Sequence, residues 1–192
     1  MDTPIDTLYK DYIDMKSFLE SAQEISLLSS YTNTFRKVLA LSCGSDFECQ
    51  ITNLLTKYAH KCSAGDTRLE NFIYNQAIKQ RYHTLFAWGT QDDPSRPEKN
   101  ANKFYKLFGT EFSEEIKAEL TLETTRFGDK TVEINNAIKA FLELGHLRNI
   151  LVHSNFAQYP YDQKTPEDIY ALYKSATLFV KYIHKILLGE DF

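Results

Sequence analysis

The chain has 192 residues, 43% hydrophobic and 25% charged, with 7 Gly and 5 Pro, which excludes a disordered chain and gives enough apolar surface for a core without staples. A net charge of −4 excludes a broad electrostatic grip on nucleic acid, so any RNA-directed activity must come from a focused local site. Cys43, Cys49 and Cys62 are odd in number and contain no CxxC pair, so a disulfide framework is not expected and a reducing cytoplasm is the simpler setting.

Helical periodicity dominates from the start. The N-terminus "MDTPIDTLYKDY" is acidic and polar, unlike a signal peptide. Leu8, Tyr12, Met15, Leu19, Ala22 and Ile25 recur at threes and fours, which predicts an amphipathic helix over about 4–28, with Thr3 as cap and Pro4 in the first turn. A second, longer helix is predicted from Ser30 to His60 on a stripe that includes Phe35, Leu39, Phe47, Ile51 and Leu54. In its middle, "LSCGSDFE" narrows the helix; Gly44 costs about 1 kcal/mol relative to Ala there, and the expected return is close approach of a neighbouring helix or subunit. Cys43 and Cys49 read as packing residues on this helix, and their spacing matches no standard zinc module.

"KCSAGDTRLE" breaks the pattern, with Asp66 or Thr67 as cap for a helix carrying Leu69, Phe72, Ile73 and Ala77 to about Tyr82. "HTLFAW" follows, and then residues 89–102 read as the clearest exposed loop. Shorter helices are predicted in "KFYKLFG" and in "SEEIKAELTLE", the latter capped by Ser113. Another helix spans about 131–152, and Thr165-Pro166-Glu167-Asp168 is a start signal for a last one carrying Ile169, Leu172, Tyr173, Ala176, Phe179, Ile183 and Leu187. No run alternates at period two, and none approaches the roughly 18 apolar residues that span a bilayer. The expectation is an all-α, single-domain antiparallel bundle over 1–192 with short additional helices.

In "LRNILVHSNF", residues 147–156, Arg148, Asn149 and His153 interrupt an aliphatic run. Arginine is rarely buried without a partner, and histidine is the side chain best suited to move protons near neutral pH. Five residues on a continuous helix turn about 500°, leaving Arg148 and His153 roughly 140° apart. Either the helix ends or distorts near Val152, or the two groups line a groove shared with a second subunit. A plainer reading pairs Arg148 with Glu48 or Glu143 and lets His153 merely terminate the helix.

"RNILVH" is R-N-x-x-x-H, which resembles the signature of the HEPN superfamily. "LALSCGSDFECQITNLL" (39–55) and "NANKFYKLFGTEFSEEI" (100–116) resemble two further segments of the RiboL-PSP-associated HEPN domains, and the three follow in the family's order. The resemblance implies a metal-independent endoribonuclease of toxin or antiviral type, working as a homodimer, in which the ribose 2′-hydroxyl attacks the adjacent phosphate. Carried over, His153 is the general acid or base, Arg148 binds the scissile phosphate, and Asn149 orients one of these groups. Glu48, with Asp46 nearby, matches an acidic position that orients Arg148, or is an ordinary ion pair fixing the bundle. No cofactor or metal is implied; the partners are RNA, a second copy of the chain, and an antitoxin or companion defence protein.

The chain departs from the HEPN toxins whose antitoxin modifies a tyrosine two places after the histidine: Asn155 stands there, although Tyr159 and Tyr161 are close. The alternative is a catalytically inactive HEPN-like module for dimerisation or partner binding, which the acidic net charge favours and the intact Arg-Asn-His set opposes. His146, two places before Arg148, could join the cleft but reads rather as a solvated or core-edge residue, and His60, His83 and His184 read as helix-end residues explained by the helix dipole.

Overall fold

The computed structural model describes residues 2–89, 99–159 and 164–189. The chain forms α1 (Pro4–Ser21), α2 (Ile25–Cys62), α3 (Thr67–Ile73) continuing into a π-helical turn at Tyr74–Ile78, α4 (Tyr82–Leu85), α5 (Asn102–Lys106), α6 (Thr110–Glu119), α7 (Thr131–His153) and α8 (Pro166–Leu188). Among the described residues the only β pairing is two isolated bridges, Ala87 with Asn100 and Thr124 with Lys130. The all-α expectation holds.

α2, about 57 Å long at 1.5 Å per residue, is the spine: α7 and α8 pack on it and on each other, and α1 lies along its first half. Two helices begin where the sequence says they should. Thr3 and Asp6 close a reciprocal capping box ahead of α1, and Thr165 and Asp168 do the same for α8, each with proline at the first position. α8 stops at Gly189, whose φ of 72° is the left-handed conformation a glycine adopts without strain. The core is aromatic-rich. Phe141 of α7 meets Phe47 of α2 (ring centroids 5.3 Å apart), Phe179 of α8 (5.0 Å) and Phe86 (5.0 Å).

Several boundaries differ from the sequence reading. α1 ends at Ser21, and the chain reverses through Gln23 at φ 58° before α2 begins at Ile25. The buried stripe of α1 is Ile5, Tyr12 and Leu19, while Met15 and Ile25 are exposed. The predicted helix through Tyr82 instead breaks after the π turn, at Lys79 and Gln80, and its expected apolar stripe is mostly outside: Leu69, Phe72 and Ala77 are exposed, Ile73 is half-buried, and Ile78 is the residue buried. Ser113 does not cap α6, because that helix starts a turn earlier, after Gly109; Ser113 is instead buried inside it. His184 is not at a dipole-stabilised end but on the buried face of α8. Of the predicted loop 89–102, residues 90–98 lie outside the described residues. Its flanks are clasped by paired hydrogen bonds between Ala87 and Asn100 (3.2 and 3.0 Å), and Ala101 is buried.

Candidate active site

α7 carries its helical pattern to His153 without distortion, and the chain leaves in extended conformation at Ser154, whose amide donates to the Ile150 carbonyl. Viewed down this last stretch, successive residues advance by about 100°. Taking Arg148 as zero, Val152 falls at about 40°, Asn149 at about 100° and His153 at about 140°. All four line one cleft of ≈ 890 Å³. The two polar ends of the motif are thus the edges of one continuous strip, and a wide cleft accepts the whole strip. Neither a break in the helix nor a second subunit is required to bring them together.

Arg148 is held from below and from the side. The Cβ that Gly44 lacks would come within 2.5 Å of Arg148 Cβ and 2.8 Å of its Cγ, so the arginine stem lies on bare α2 backbone. This is the close approach that the small residues around Gly44 predict. One turn along α2, Glu48 Oε2 accepts from Arg148 Nη2 at 2.5 Å, with the two side chains 34% and 19% exposed. Asn149 Oδ1 accepts from Nη1 at 3.3 Å. Nε, sealed against the helix, has no acceptor among the described residues. Glu48 is therefore the acid that holds Arg148. The other candidate, Glu143, is engaged by Lys164 at 2.9 Å. Asp46 turns the other way, accepting from Tyr173 Oη (2.9 Å) and Gln50 Nε2 (2.5 Å). His153 is exposed at the end of α7, and its imidazole makes no hydrogen bond to another described residue.

The rest of the lining includes Gln80, Trp88 and Lys103, which the sequence did not single out, and His83, which it read as a helix-end residue. The π turn and Gln80, at φ 58°, deliver the chain into α4. Both a π turn and a non-glycine residue in the left-handed region recur at functional sites. Tyr82 and Leu85 of α4 point into the core, which leaves His83 exposed. The Tyr82 hydroxyl, with no acceptor among the described residues, is pushed up by burial and by the nearby Glu48 carboxylate. Trp88 ties the walls together. Its indole N–H donates to the His83 carbonyl at 3.0 Å, and its ring occupies the space over Gly145 of α7, where an added Cβ would sit 2.0 Å from Cζ3. The sole tryptophan, together with a glycine inside an apolar helix, was the readable signal for this contact.

His146 is not a cleft residue. Its imidazole is half-buried, and burial, followed by the charge of Lys99, lowers its pKa. His60 bonds Glu70 at 2.9 Å. Cys43 is buried, as a packing residue should be, but Cys49 is exposed, so that reading fails for the second cysteine. Among the described residues, no three of His, Cys, Asp or Glu cluster as a metal-ion set, and no helix is long and apolar enough to cross a membrane.

The sequence family described as RiboL-PSP-HEPN matches residues 6–189. The chain belongs to the RiboL-PSP-HEPN family. Its helical architecture is the one expected of a HEPN domain. No curated protein and no solved structure matches it.

Proposed function

We propose that this HEPN domain is an endoribonuclease that cuts RNA by internal transesterification. The observation that carries the reading is the shared cleft, which the half-buried Arg148 and Asn149 and the exposed His153 line along one strip of α7 while Glu48 and Gly44 hold the arginine side chain. The ribose 2′-oxygen forms a bond to phosphorus as the bond from phosphorus to the 5′-oxygen breaks. The 2′-hydroxyl proton leaves to a base and the departing oxygen takes one from an acid, giving a 2′,3′-cyclic phosphate and a 5′-hydroxyl. His153 performs one of these proton transfers, since imidazole exchanges protons near working pH. Arg148 aims its guanidinium donors at the non-bridging phosphate oxygens and offsets the charge that builds on them. Lys103 adds a second cation to the cleft rim. That local concentration supports a phosphate site in a chain of net charge −4.

The charge stabilisation is assigned to Arg148, so cleavage needs no divalent ion. A homodimer belongs to the same proposal, with Val152, 52% exposed beside His153, as an apolar contact at the cleft rim. So does a cytoplasmic role in phage defence or a toxin–antitoxin pair with a cognate neutralising protein. The deciding experiment incubates the purified protein with RNA in EDTA and maps the product ends. Cyclic-phosphate ends with native protein and none with His153→Ala are expected. Ends bearing 5′-phosphate, strict dependence on added metal, or full activity in His153→Ala would overturn the reading. Expression of the native chain should arrest growth, and expression of His153→Ala should not.

A further inference from the structure

We propose that the groove between the end of α2, the π turn and α4 is a second ligand site, one that takes a small amphipathic carboxylate. It shares no lining residue with the cleft beside α7, and it stands or falls independently of RNA cleavage.

The groove follows from a local failure of helix continuation. α3 runs into the π turn, the chain leaves the helix at Lys79, and Gln80, in the left-handed conformation, redirects it into α4. Both arms of this bend pack on α2. On α2 itself, Leu55, Tyr58, Ala59 and Cys62 recur at threes and fours and so share one face of its last turns. These four residues and both arms of the bend line a cavity of ≈ 520 Å³. The link between α5 and α6 completes the lining. There Phe108 meets Tyr58 edge-on, with ring centroids 5.6 Å apart, and the apolar Leu107 is 58% exposed.

Volume and chemistry choose the occupant. A concave site of this size, mostly apolar with a few polar groups, has the form of a small-molecule pocket. Leu55, Ile78 and Leu85 of its lining are buried core residues, so the cavity reaches the core and is no flat surface patch. The one charged residue among the described residues that line it is Arg81, which is exposed and pairs with no acid among them. An apolar body therefore takes groove surface out of water, and a single carboxylate answers the guanidinium fork with parallel hydrogen bonds. A cationic head meets no acid in this lining, and a neutral head leaves the Arg81 charge unanswered.

The test uses the full chain and three probes with the same tail: decanoate, decanol and decyltrimethylammonium, each below the concentration at which it forms micelles. Decanoate should raise the thermal midpoint in a saturable manner and titrate calorimetrically to one site per chain. Decanol should bind about 10-fold more weakly, the scale for losing a hydrogen-bonded charge pair, and the ammonium more weakly still. Arg81→Gln should bring decanoate down to the level of decanol and leave decanol unchanged. Ala77→Phe, at an exposed position that lines the groove, should keep the helical circular dichroism of the native chain and lose both ligands. Absence of saturable decanoate binding, equal binding of the three probes, or decanoate binding untouched by both substitutions overturns the proposal. Light scattering decides the competing occupant. If the native chain is a dimer that Leu107→Glu makes monomeric, the groove belongs to a second copy and the proposal falls; an association state unchanged by Leu107→Glu supports the small ligand.

Discussion

Two regions use the same kinds of group to different ends. At the seam between α1 and α8, Asp6 accepts from the Thr3 amide (2.8 Å), the Tyr170 hydroxyl (2.7 Å) and the Lys174 ammonium (3.1 Å), and Tyr9 stacks on Tyr170 with ring centroids 3.9 Å apart. The Asp6 carboxylate there is answered from within by three donors, and the seam is mortar. At the cleft, Arg148 has Glu48 and Asn149 on one side, and the other side is open with the exposed His153 along the same strip. A charge enclosed by several internal donors contributes to the fold, whereas one steadied by a single acid and left facing a cavity remains available to a ligand. The contrast lies in how completely each charge is answered.

The sharpest way to break that contrast is Arg148→Ala. RNA cleavage should fall by about 100- to 1000-fold, the scale for removing a donor that stabilises developing negative charge. Stability should change little, because Glu48 is one-third exposed and water can solvate it. A variant that unfolds without losing single-turnover rate per folded molecule would make Arg148 mortar as well. Gly44→Ala should act on both properties. The new methyl group meets the Arg148 stem at its least mobile atom, Cβ. Thermal unfolding should register about 1–3 kcal/mol of destabilisation, with slower cleavage from a displaced guanidinium. An alanine tolerated without loss would mean that α2 and α7 separate freely at this point.

What the sequence made legible follows the range of the interactions. α7 and α8 were readable because Ala137, Phe141 and Leu144, and Ile169, Tyr173 and Ala176, repeat at helical spacing, and because Thr165, Pro166 and Asp168 announce a start within four residues. Arg148, Asn149 and His153 were legible as polar interruptions and Glu48 as a candidate partner of Arg148, and all four line one cleft. The 140° between Arg148 and His153 was rightly read as two groups on a groove or at a helix end, and both belong to one cleft of the single chain at the end of α7. The α1–α2 reversal was not legible, since Gln23 takes a left-handed conformation that its residue type does not signal. Nor was the break after the π turn, where "YNQAIKQRYH" contains neither glycine nor proline. With α4 hidden, His83 looked like any histidine near a helix end, and Lys103 reaches the cleft only through tertiary packing.

Asp6→Asn sharpens the comparison from the other side. The variant should lower stability by about 1–2 kcal/mol at neutral pH through its weakened bonds to Tyr170 and Lys174, and leave cleavage per folded molecule intact. Burial raises the pKa of Asp6, but the hydrogen bonds from Thr3, Tyr170 and Lys174 outweigh it and hold the group well below the usual carboxylate range. Because the folded-state value lies below the unfolded one, the contribution is fully present above about pH 4. It is lost as pH falls from there toward the folded-state value. Urea melts of native and Asp6→Asn protein should therefore converge in acid. A gap that does not shrink as pH falls from about 4 toward the folded-state value would assign the stabilisation to packing of Tyr9 on Tyr170 instead of to the charge.

The smallest effect is expected from Glu48→Gln, and its sign is the informative part. The amide keeps the side chain's shape and one oxygen for Arg148 Nη2 to donate to, so stability should move by less than about 1 kcal/mol. Removing a negative charge from a cleft that receives a polyanion should tighten RNA binding. The gain should be larger at low salt, because screening at 0.1 M ionic strength already acts over about 10 Å. Fluorescence anisotropy with a labelled RNA, read in His153→Ala background to prevent cutting, measures the shift. Weaker binding at every salt concentration would reverse the assignment. It would mean that the Glu48 charge is needed to hold the guanidinium in register and that Arg148 binds phosphate only when so aimed.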